Sequence, residues 1–185
     1  MRAAGGLGDD IIAAARRGES AALTALYEAY SAPVLGYVRG LGVADPEDTL
    51  GEVFVSVVRN IATFRGGEAD FRRWLFTIAH RRVVDAHRLR ARDQEHPTDP
   101  SMLPDVQTAT DAVDEVAARL STSSATQALE QLTDDQREVI LLRVVADLSV
   151  ADTAEILGKK PGAIKTLQRR ALASLRRLLI LPAVS

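Results

Sequence analysis

The fold of the C-terminal half is decided by Ser149–Arg177, SVADTAEILGKKPGAIKTLQRRALASLRR. A short apolar helix is predicted to end at Gly158. A second helix begins behind Pro161, whose missing N–H suits a first helical position. Two short helices joined by a tight glycine-containing turn form a helix-turn-helix, whose second helix lies in the DNA major groove. Because Lys159–Arg177 contains seven basic residues and no acidic one, the segment predicts contact with double-stranded DNA.

Charge is distributed unevenly along the chain. The formal net charge of −2 over 185 residues argues, on its own, against a DNA-binding protein. However, Arg65–Arg92 holds eight arginines against three acids, and Asp93–Asp135 holds ten acids against one basic residue. Because an electrostatic footprint is local, two basic blocks around an acidic spacer favour a nucleic-acid partner despite the overall charge.

The composition excludes several other classes of protein. There is no cysteine, which rules out disulfides and thiolate metal sites and is typical of a cytoplasmic chain. No apolar run approaches the ~20 residues of a membrane helix, so we expect no membrane insertion. The histidines, His80, His87 and His96, lack metal-ligand spacing, and no phosphate loop or nucleophile–base pair is evident. We therefore expect no metal, no cofactor and no catalytic site.

The N-terminal half has the periodicity of helices throughout. Pro33 is expected to open one of them. Asp45 caps the next helix, Pro46–Phe64, with proline at its first position. The segment Arg65–Asp70, RGGEAD, is predicted to be a loop.

The helix behind this loop, FRRWLFTIAHRRVVDAHRLR, is predicted to be amphipathic. Trp74 falls on its apolar arc and is expected to lie in the core. Phe76 falls off that arc and is the better candidate for an exposed aromatic residue. The basic outer arc contains Arg73, Thr77, His80, Arg81 and Val84.

The whole chain is therefore predicted to be all-α, with two small helical domains joined by a flexible acidic linker. The domains span residues 8–92 and 124–181, and the linker spans residues 93–123, with one transient helical stretch around Ala112–Leu120. In the second domain, Thr133 with Gln136, and Ser149 with Asp152, have capping-box spacing. The first of these helices should bury Ile140, Leu141, Val144 and Val145.

Two segments together resemble extracytoplasmic-function sigma factors, with variants closest to an actinobacterial subgroup. DPEDTLGEVFVSVVRNIATFRGG and FRRWLFTIAHRRVVDAHR resemble their region 2, and LTDDQREVILLRVVADLSVADTAEILGKKPGAIKTLQRRALASLRRLL resembles region 4. The order and spacing match over roughly Asp9–Leu179. The resemblance implies a dissociable subunit of bacterial RNA polymerase that recognises promoter DNA and helps open it. It also implies a protein partner, an anti-sigma factor that holds the free subunit.

The resemblance assigns roles to three groups of residues. Those implied to dock on core RNA polymerase are Asp48, Glu52, Val53 and Phe54. Those implied to hold the melted −10 element, with a base flipped out into the loop, are Phe64, Arg65, Gly66, Gly67, Arg72, Arg73, His80 and Arg81. Those implied to contact the double-stranded −35 element are Lys160, Gly162, Ala163, Lys165, Thr166, Arg169 and Arg170.

Three positions depart from the family pattern, and simpler interpretations remain open. Gly51 stands where the family commonly has glutamine, and Val58 stands where it commonly has an aromatic residue. Leu167–Gln168 stands where the family commonly has an Arg-Leu pair, and this last departure leaves the base preference open. The acidic start of the docking helix also complements the helix dipole, and the basic face and the linker could be solvated surface and tether. The alternative functions are a stand-alone helix-turn-helix regulator and an inert module that binds an acidic partner.

Overall fold

A computed structural model describes residues 7–94 and 127–180. Within these ranges the chain forms helices and turns and no strand, which confirms the all-α prediction. The N-terminal half contains α1 (Asp9–Arg16), α2 (Ser20–Gly40), α3 (Pro46–Asn60), a 3₁₀ turn (Ile61–Thr63) and α4 (Glu68–Gln94). After a short helical turn at residues 127–130 come α5 (Asp134–Ile140), a π-helical turn (Leu141–Val145), α6 (Val150–Leu157) and α7 (Pro161–Ile180).

The prediction that Pro33 opens a helix is wrong, because it lies inside α2. Proline in a helix interior removes one hydrogen bond and clashes with the preceding turn. The helix nevertheless continues because it buries one face on both sides of the proline. Leu26 and Tyr30 lie before it, and Val34 and Tyr37 after it, all almost inaccessible to solvent.

The cap of α3 is confirmed, whereas its predicted end is too late. The Asp45 carboxylate accepts the backbone N–H of Asp48 at 3.0 Å, and Pro46 occupies the first turn. The α-helix ends at Asn60, and Ile61–Thr63 tightens into the 3₁₀ turn that leads to the glycine loop.

The prediction that Phe76 is exposed is wrong, because α4 packs against neighbours on more than one side. Phe76 is fully buried, with its ring edge-to-face on Tyr37 at a centroid distance of 5.6 Å. Trp74 belongs to the same apolar assembly without being fully buried. Its ring lies 5.2 Å from that of Phe64 and 5.8 Å from that of Phe71.

Both capping boxes of the C-terminal half are confirmed, at Thr133 and at Ser149. Gly158 ends α6 with a left-handed φ of 61°, as the turn requires. The prediction that Val144 faces the core is wrong, since it is 62% exposed whereas Leu142 is fully buried. The wider π-helical turn shifts the phase of the side chains relative to an α-helix.

The two halves of the chain pack directly against each other. Leu141, Leu142, Ala146 and Leu148 belong to the same buried cluster as the core of α1–α4. Two smaller clusters, around Ile140 and around Ile164, complete the second half. Since α4 extends to Gln94, it enters the predicted linker, and most of that linker and its helical stretch lie outside the described residues. The domain bounds stay a prediction.

Candidate functional site

The exposed face of α3 differs from the predicted docking set. Asp48 and Glu52 are exposed, as expected. Val53 is fully buried and Phe54 is 9% exposed, so neither is presented to a partner in this structure. Side chains at positions 48, 52 and 55 share one helical face, and Val55 on that face is 47% exposed.

Sequence reasoning missed two apolar residues of this face, Val55 and Val58. Val58 is 53% exposed, one turn after Phe54. Tyr27 of α2 is 48% exposed and packs edge-to-face on Phe54 at 4.8 Å, so the apolar surface extends from α3 toward α2. A helical-wheel projection of α3 would have revealed them, because it places these valines away from the apolar face that forms the core. We call Asp48, Glu52, Val55 and Val58 the α3 face.

The glycine loop is shorter than the predicted Arg65–Asp70, because α4 already begins at Glu68 and the non-helical stretch spans residues 64–67. Gly66 has a φ of 133°, and a Cβ there would lie 2.6 Å from the Cβ of Asp70. The Asp70 carboxylate accepts the Gly67 N–H at 3.3 Å, and the Asp9 carboxylate accepts the Glu68 N–H at 2.9 Å. Two carboxylates therefore fix the loop, and only glycine fits its tightest point.

A groove of about 570 Å³ lies between α3 and α4, beside the loop. It brings two predicted residues together, the nearly buried Phe64 and the exposed Arg81. Sequence reasoning missed its amide and hydroxyl groups, since these lie on α3 and in the 3₁₀ turn. The groove is lined by Ser56, Asn60, Thr63, Phe64, Trp74, Ile78, Arg81, Arg82 and Asp85.

His80 is not part of that groove and is partly buried against α2. Its Nδ1 lies 3.0 Å from the Tyr37 hydroxyl, and burial lowers the pKa of His80. Burial also raises the pKa of the Tyr37 hydroxyl, since both groups are shielded from solvent at this contact. His80 is therefore partly covered by α2, and its role in holding phosphates stays a prediction.

Arg72 and Arg73 are engaged by carboxylates from both halves of the chain. Arg72 pairs with Glu68 at 2.9 Å and with Asp147 at 3.1 Å. Arg73 pairs with Asp70 at 3.3 Å, and its other terminal nitrogen approaches the carboxylates of Asp152 and Glu155. Their side chains are 23% and 37% exposed, so both arginines are partly covered in this structure.

The predicted DNA-facing side of α7 lies at the surface. Ile164 and Ala171 are fully buried against α5 and α6, which turns the other side of the helix outward. Thr166 is partly buried and donates its hydroxyl to the Gly162 carbonyl at 3.0 Å. The other predicted residues of this side are all exposed: Lys160, Gly162, Ala163, Lys165, Arg169 and Arg170.

The departure at Leu167–Gln168 has a structural explanation. Leu167 packs against the buried cluster of Val139 and Ile164, so it points away from the DNA-facing side. Gln168 accepts a hydrogen bond from Arg143 Nε at 3.2 Å, which sequence reasoning missed because the two residues lie 25 positions apart. Leu172 and Arg176 continue the exposed side along a shallow groove with Lys165 and Arg169.

Over residues 7–94 and 127–180, no helix combines the length and the apolarity that crossing a bilayer requires. The same ranges contain no cluster of three metal-ligating side chains.

Comparison with known proteins identifies both halves. The family model "Sigma-70 region 2" matches residues 26–93, and "Sigma-70, region 4" matches residues 122–175. The chain is 38% identical over 172 residues to the ECF RNA polymerase sigma factor BldN of Streptomyces coelicolor, covering 92% of this chain and 65% of that protein. It is 31% identical to ECF sigma factor SigD of Mycobacterium tuberculosis, covering 91% of this chain and 82% of SigD.

Solved structures share the fold. CnrH, in complex with the cytosolic domain of CnrY, superposes with a TM-score of 0.65 at 24% identity, covering 92% of this chain and 96% of CnrH. The sigma factor RpoE of Bartonella quintana, in complex with the anti-sigma factor NepR, superposes with a TM-score of 0.64 at 23% identity, covering 84% and 95%. The family models, the SigD match and the two-part helical architecture agree, and the chain belongs to the extracytoplasmic-function sigma factors of RNA polymerase.

Proposed function

We propose that this chain directs promoter-specific transcription initiation as a dissociable subunit of RNA polymerase, acting by binding and not by catalysis. The observation that carries the proposal is the pairing of two surfaces in one chain. One is an exposed, basic recognition helix, α7, and the other is a groove large enough to admit a nucleobase, lined in part by Phe64 and Trp74, beside a glycine loop. A stand-alone helix-turn-helix regulator needs only the first surface, and the region 2 match therefore favours the sigma-factor interpretation.

The α3 face is the proposed docking surface for core polymerase. Its two carboxylates give it a negative rim, and Val55 and Val58 give it apolar area that is still open to solvent. Charged groups at an interface chiefly steer encounter, whereas buried apolar contacts set the lifetime of the complex. A basic, amphipathic partner fits this surface, and the buried Val53 and Phe54 support it from below.

The groove between α3 and α4 is the proposed pocket for a base flipped out of the −10 element. An extruded base loses a few kcal/mol of stacking, which a pocket recovers through aromatic contact and hydrogen bonds. Trp74 lines this groove, and Asn60, Thr63 and Arg81 supply polar groups near it. Arg72 and Arg73, on the adjoining side of α4, are proposed to hold phosphates of the melted strand.

The exposed side of α7 is the proposed −35 surface. Lys165 and Arg169 are one turn apart and both exposed, near the start of the helix. Lysine and arginine donate to guanine O6 and N7 in the major groove, and a threonine or alanine methyl contacts thymine. Because Leu167 packs inward, we infer that base discrimination rests on these two cations and on Ala163.

Two further statements complete the proposal. The relatives CnrH and RpoE were solved with a protein partner, which supports an anti-sigma partner for this chain too. Core polymerase and promoter DNA are cytoplasmic in bacteria, so we propose that location for this chain.

The test is run-off transcription with core polymerase on a library of promoters. We expect transcripts from a small set of templates that share −35 and −10 elements, and none from core polymerase alone. A gel shift with the free chain should show weak, poorly discriminating binding. Tight specific binding by the free chain, in the range of ~10⁻⁸–10⁻¹¹ M, without polymerase-dependent transcripts would overturn the proposal in favour of a stand-alone regulator.

A further inference from the structure

Region 4 presents three carboxylates to the two arginines at the start of α4. Arg72 Nη1 donates to Asp147 Oδ2 at 3.1 Å. Arg73 Nη1 donates to Glu155 Oε2 at 3.4 Å and lies 3.6 Å from Asp152 Oδ1. The pairs are separated by 75 or more positions in sequence, so they exist only while the two halves are packed together. We call Asp147, Asp152 and Glu155 the acidic edge of region 4.

The backbone of region 4 holds this acidic edge in place. Asp147 has a φ of 51°, the one left-handed backbone outside glycine in the described residues. The next residue is fixed, because the Leu148 N–H donates to the Leu142 carbonyl at 3.1 Å. Asp152 is held by its capping box with Ser149. Asp147 and Asp152 are therefore held in place by ordered backbone, whereas the Glu155 side chain projects from α6 and is 69% exposed.

An apolar seam beneath the carboxylates keeps the halves together. Leu141 and Leu148 of region 4 are buried in one cluster with Tyr37 and Val38 of α2. α2 accommodates the seam through small residues, since a Cβ on Gly40 would lie 2.8 Å from the methyl carbons of Leu141. Exposed ion pairs stabilise little individually. The seam therefore supplies most of the stability of the contact, and the acidic edge adds carboxylates from region 4 to those of Glu68 and Asp70 that already pair with the arginines.

Carboxylates and phosphates compete for the same donors. A guanidinium group forms paired hydrogen bonds to either anion, and a given N–H cannot serve both at once. We propose that the acidic edge of region 4 masks Arg72 and Arg73 in the free chain, as an intramolecular competitor of single-stranded DNA. This inference rests on the proposed function, in which these arginines hold the melted strand. A partner that separates the halves, as a polymerase bound to both would, exposes the arginines.

The test compares single-strand affinity between two charge-matched variants of the full chain. The unmasking variant carries Asp147→Asn, Asp152→Asn and Glu155→Gln. Asparagine tolerates the left-handed backbone at position 147, so the fold should persist. The control variant neutralises three exposed acids away from the contact, Asp10→Asn, Glu28→Gln and Glu130→Gln. The probe is a fluorescein-labelled single strand of mixed sequence, followed by anisotropy at low salt.

We expect the unmasking variant to bind the single strand about tenfold more tightly than the control variant. Equal affinity of the two variants would overturn the masking inference. Adding Arg72→Ala and Arg73→Ala to the unmasking variant should abolish the gain. If these substitutions lower affinity although the two parent variants are equal, the arginines contact DNA without being masked. If they leave the affinity of the unmasking variant unchanged, the proposed DNA role of the arginines itself fails.

Discussion

The α3 face makes a prediction in which affinity and stability change independently. Burying a whole valine side chain contributes about 1.5–3 kcal/mol of free energy relative to leaving it in water. Val55 is 47% and Val58 53% exposed, so roughly half of that remains to be gained on docking. Because alanine keeps the Cβ, truncation removes only part of this gain, about 0.5–1 kcal/mol of binding free energy at each position. The pair V55A/V58A should therefore weaken core-polymerase binding about 5–30-fold.

The same truncation at Val53 should have the opposite profile. Val53 is fully inaccessible, so Val53→Ala leaves a cavity and costs about 1.5–3 kcal/mol of folding stability. Its melting temperature should fall by several degrees. V55A/V58A should melt at or slightly above the parent temperature, because alanine has the higher helix propensity.

The assay is a fluorescence titration of labelled chain with core polymerase, accompanied by thermal unfolding followed by circular dichroism. The titration is run at a temperature where every variant is folded. A V53A variant that weakens polymerase binding as much as V55A/V58A does would refute the assignment of Val55 and Val58 to the interface. It is equally refuted if V55A/V58A binds with the parent affinity, since the apolar part of the face would then lie outside the interface.

Three further predictions concern other parts of the chain. Lys165→Ala and Arg169→Ala should each weaken holoenzyme binding to a −35 element by ~1–3 kcal/mol, and a gel shift with a scrambled −35 element should show little further loss. Glu138→Gln should raise the melting temperature at pH 7.5 and not at pH 4. Burial raises the pKa of Glu138, so its charged form lowers the stability of the fold above that pKa. Equal gains in melting temperature at both pH values would contradict this. Gly66→Ala should cost about 1–3 kcal/mol of loop stability and reduce permanganate reactivity of thymines near the start site, whereas normal promoter opening would exclude Phe64–Asp70 from melting.

The sequence was informative wherever the structure depends on local chemistry. Asp45, Thr133 and Ser149 cap the helices that their spacing predicts, and Gly158 forms the left-handed turn of the helix-turn-helix. These features depend on a few consecutive residues. Pro33 was misleading because a local penalty was outweighed by burial on both sides of it, which no short window contains.

The candidate sites were predicted less well, because exposure depends on which elements meet. A single apolar arc on α4 assigns Phe76 and His80 to solvent, whereas α2 buries Phe76 and binds His80. Likewise, the family pattern around Glu52 points to Val53 and Phe54, although the open apolar area belongs to Val55. The sequence predicts that these segments are helices, but it does not predict which side of each helix faces solvent.

The contact between the halves had no local signal at all, yet its backbone features are adjacent in sequence. The π-helical turn ends at Val145, and the left-handed Asp147 follows two residues later. A non-glycine residue in such a conformation costs of order 1–3 kcal/mol and persists only where surrounding structure fixes it. At this place the surroundings are α2 and α4, through Leu141 and Arg72, and not the DNA-facing side of α7. The unusual geometry of region 4 is thus concentrated at its contact with region 2, which is the contact that the proposed masking of Arg72 and Arg73 requires.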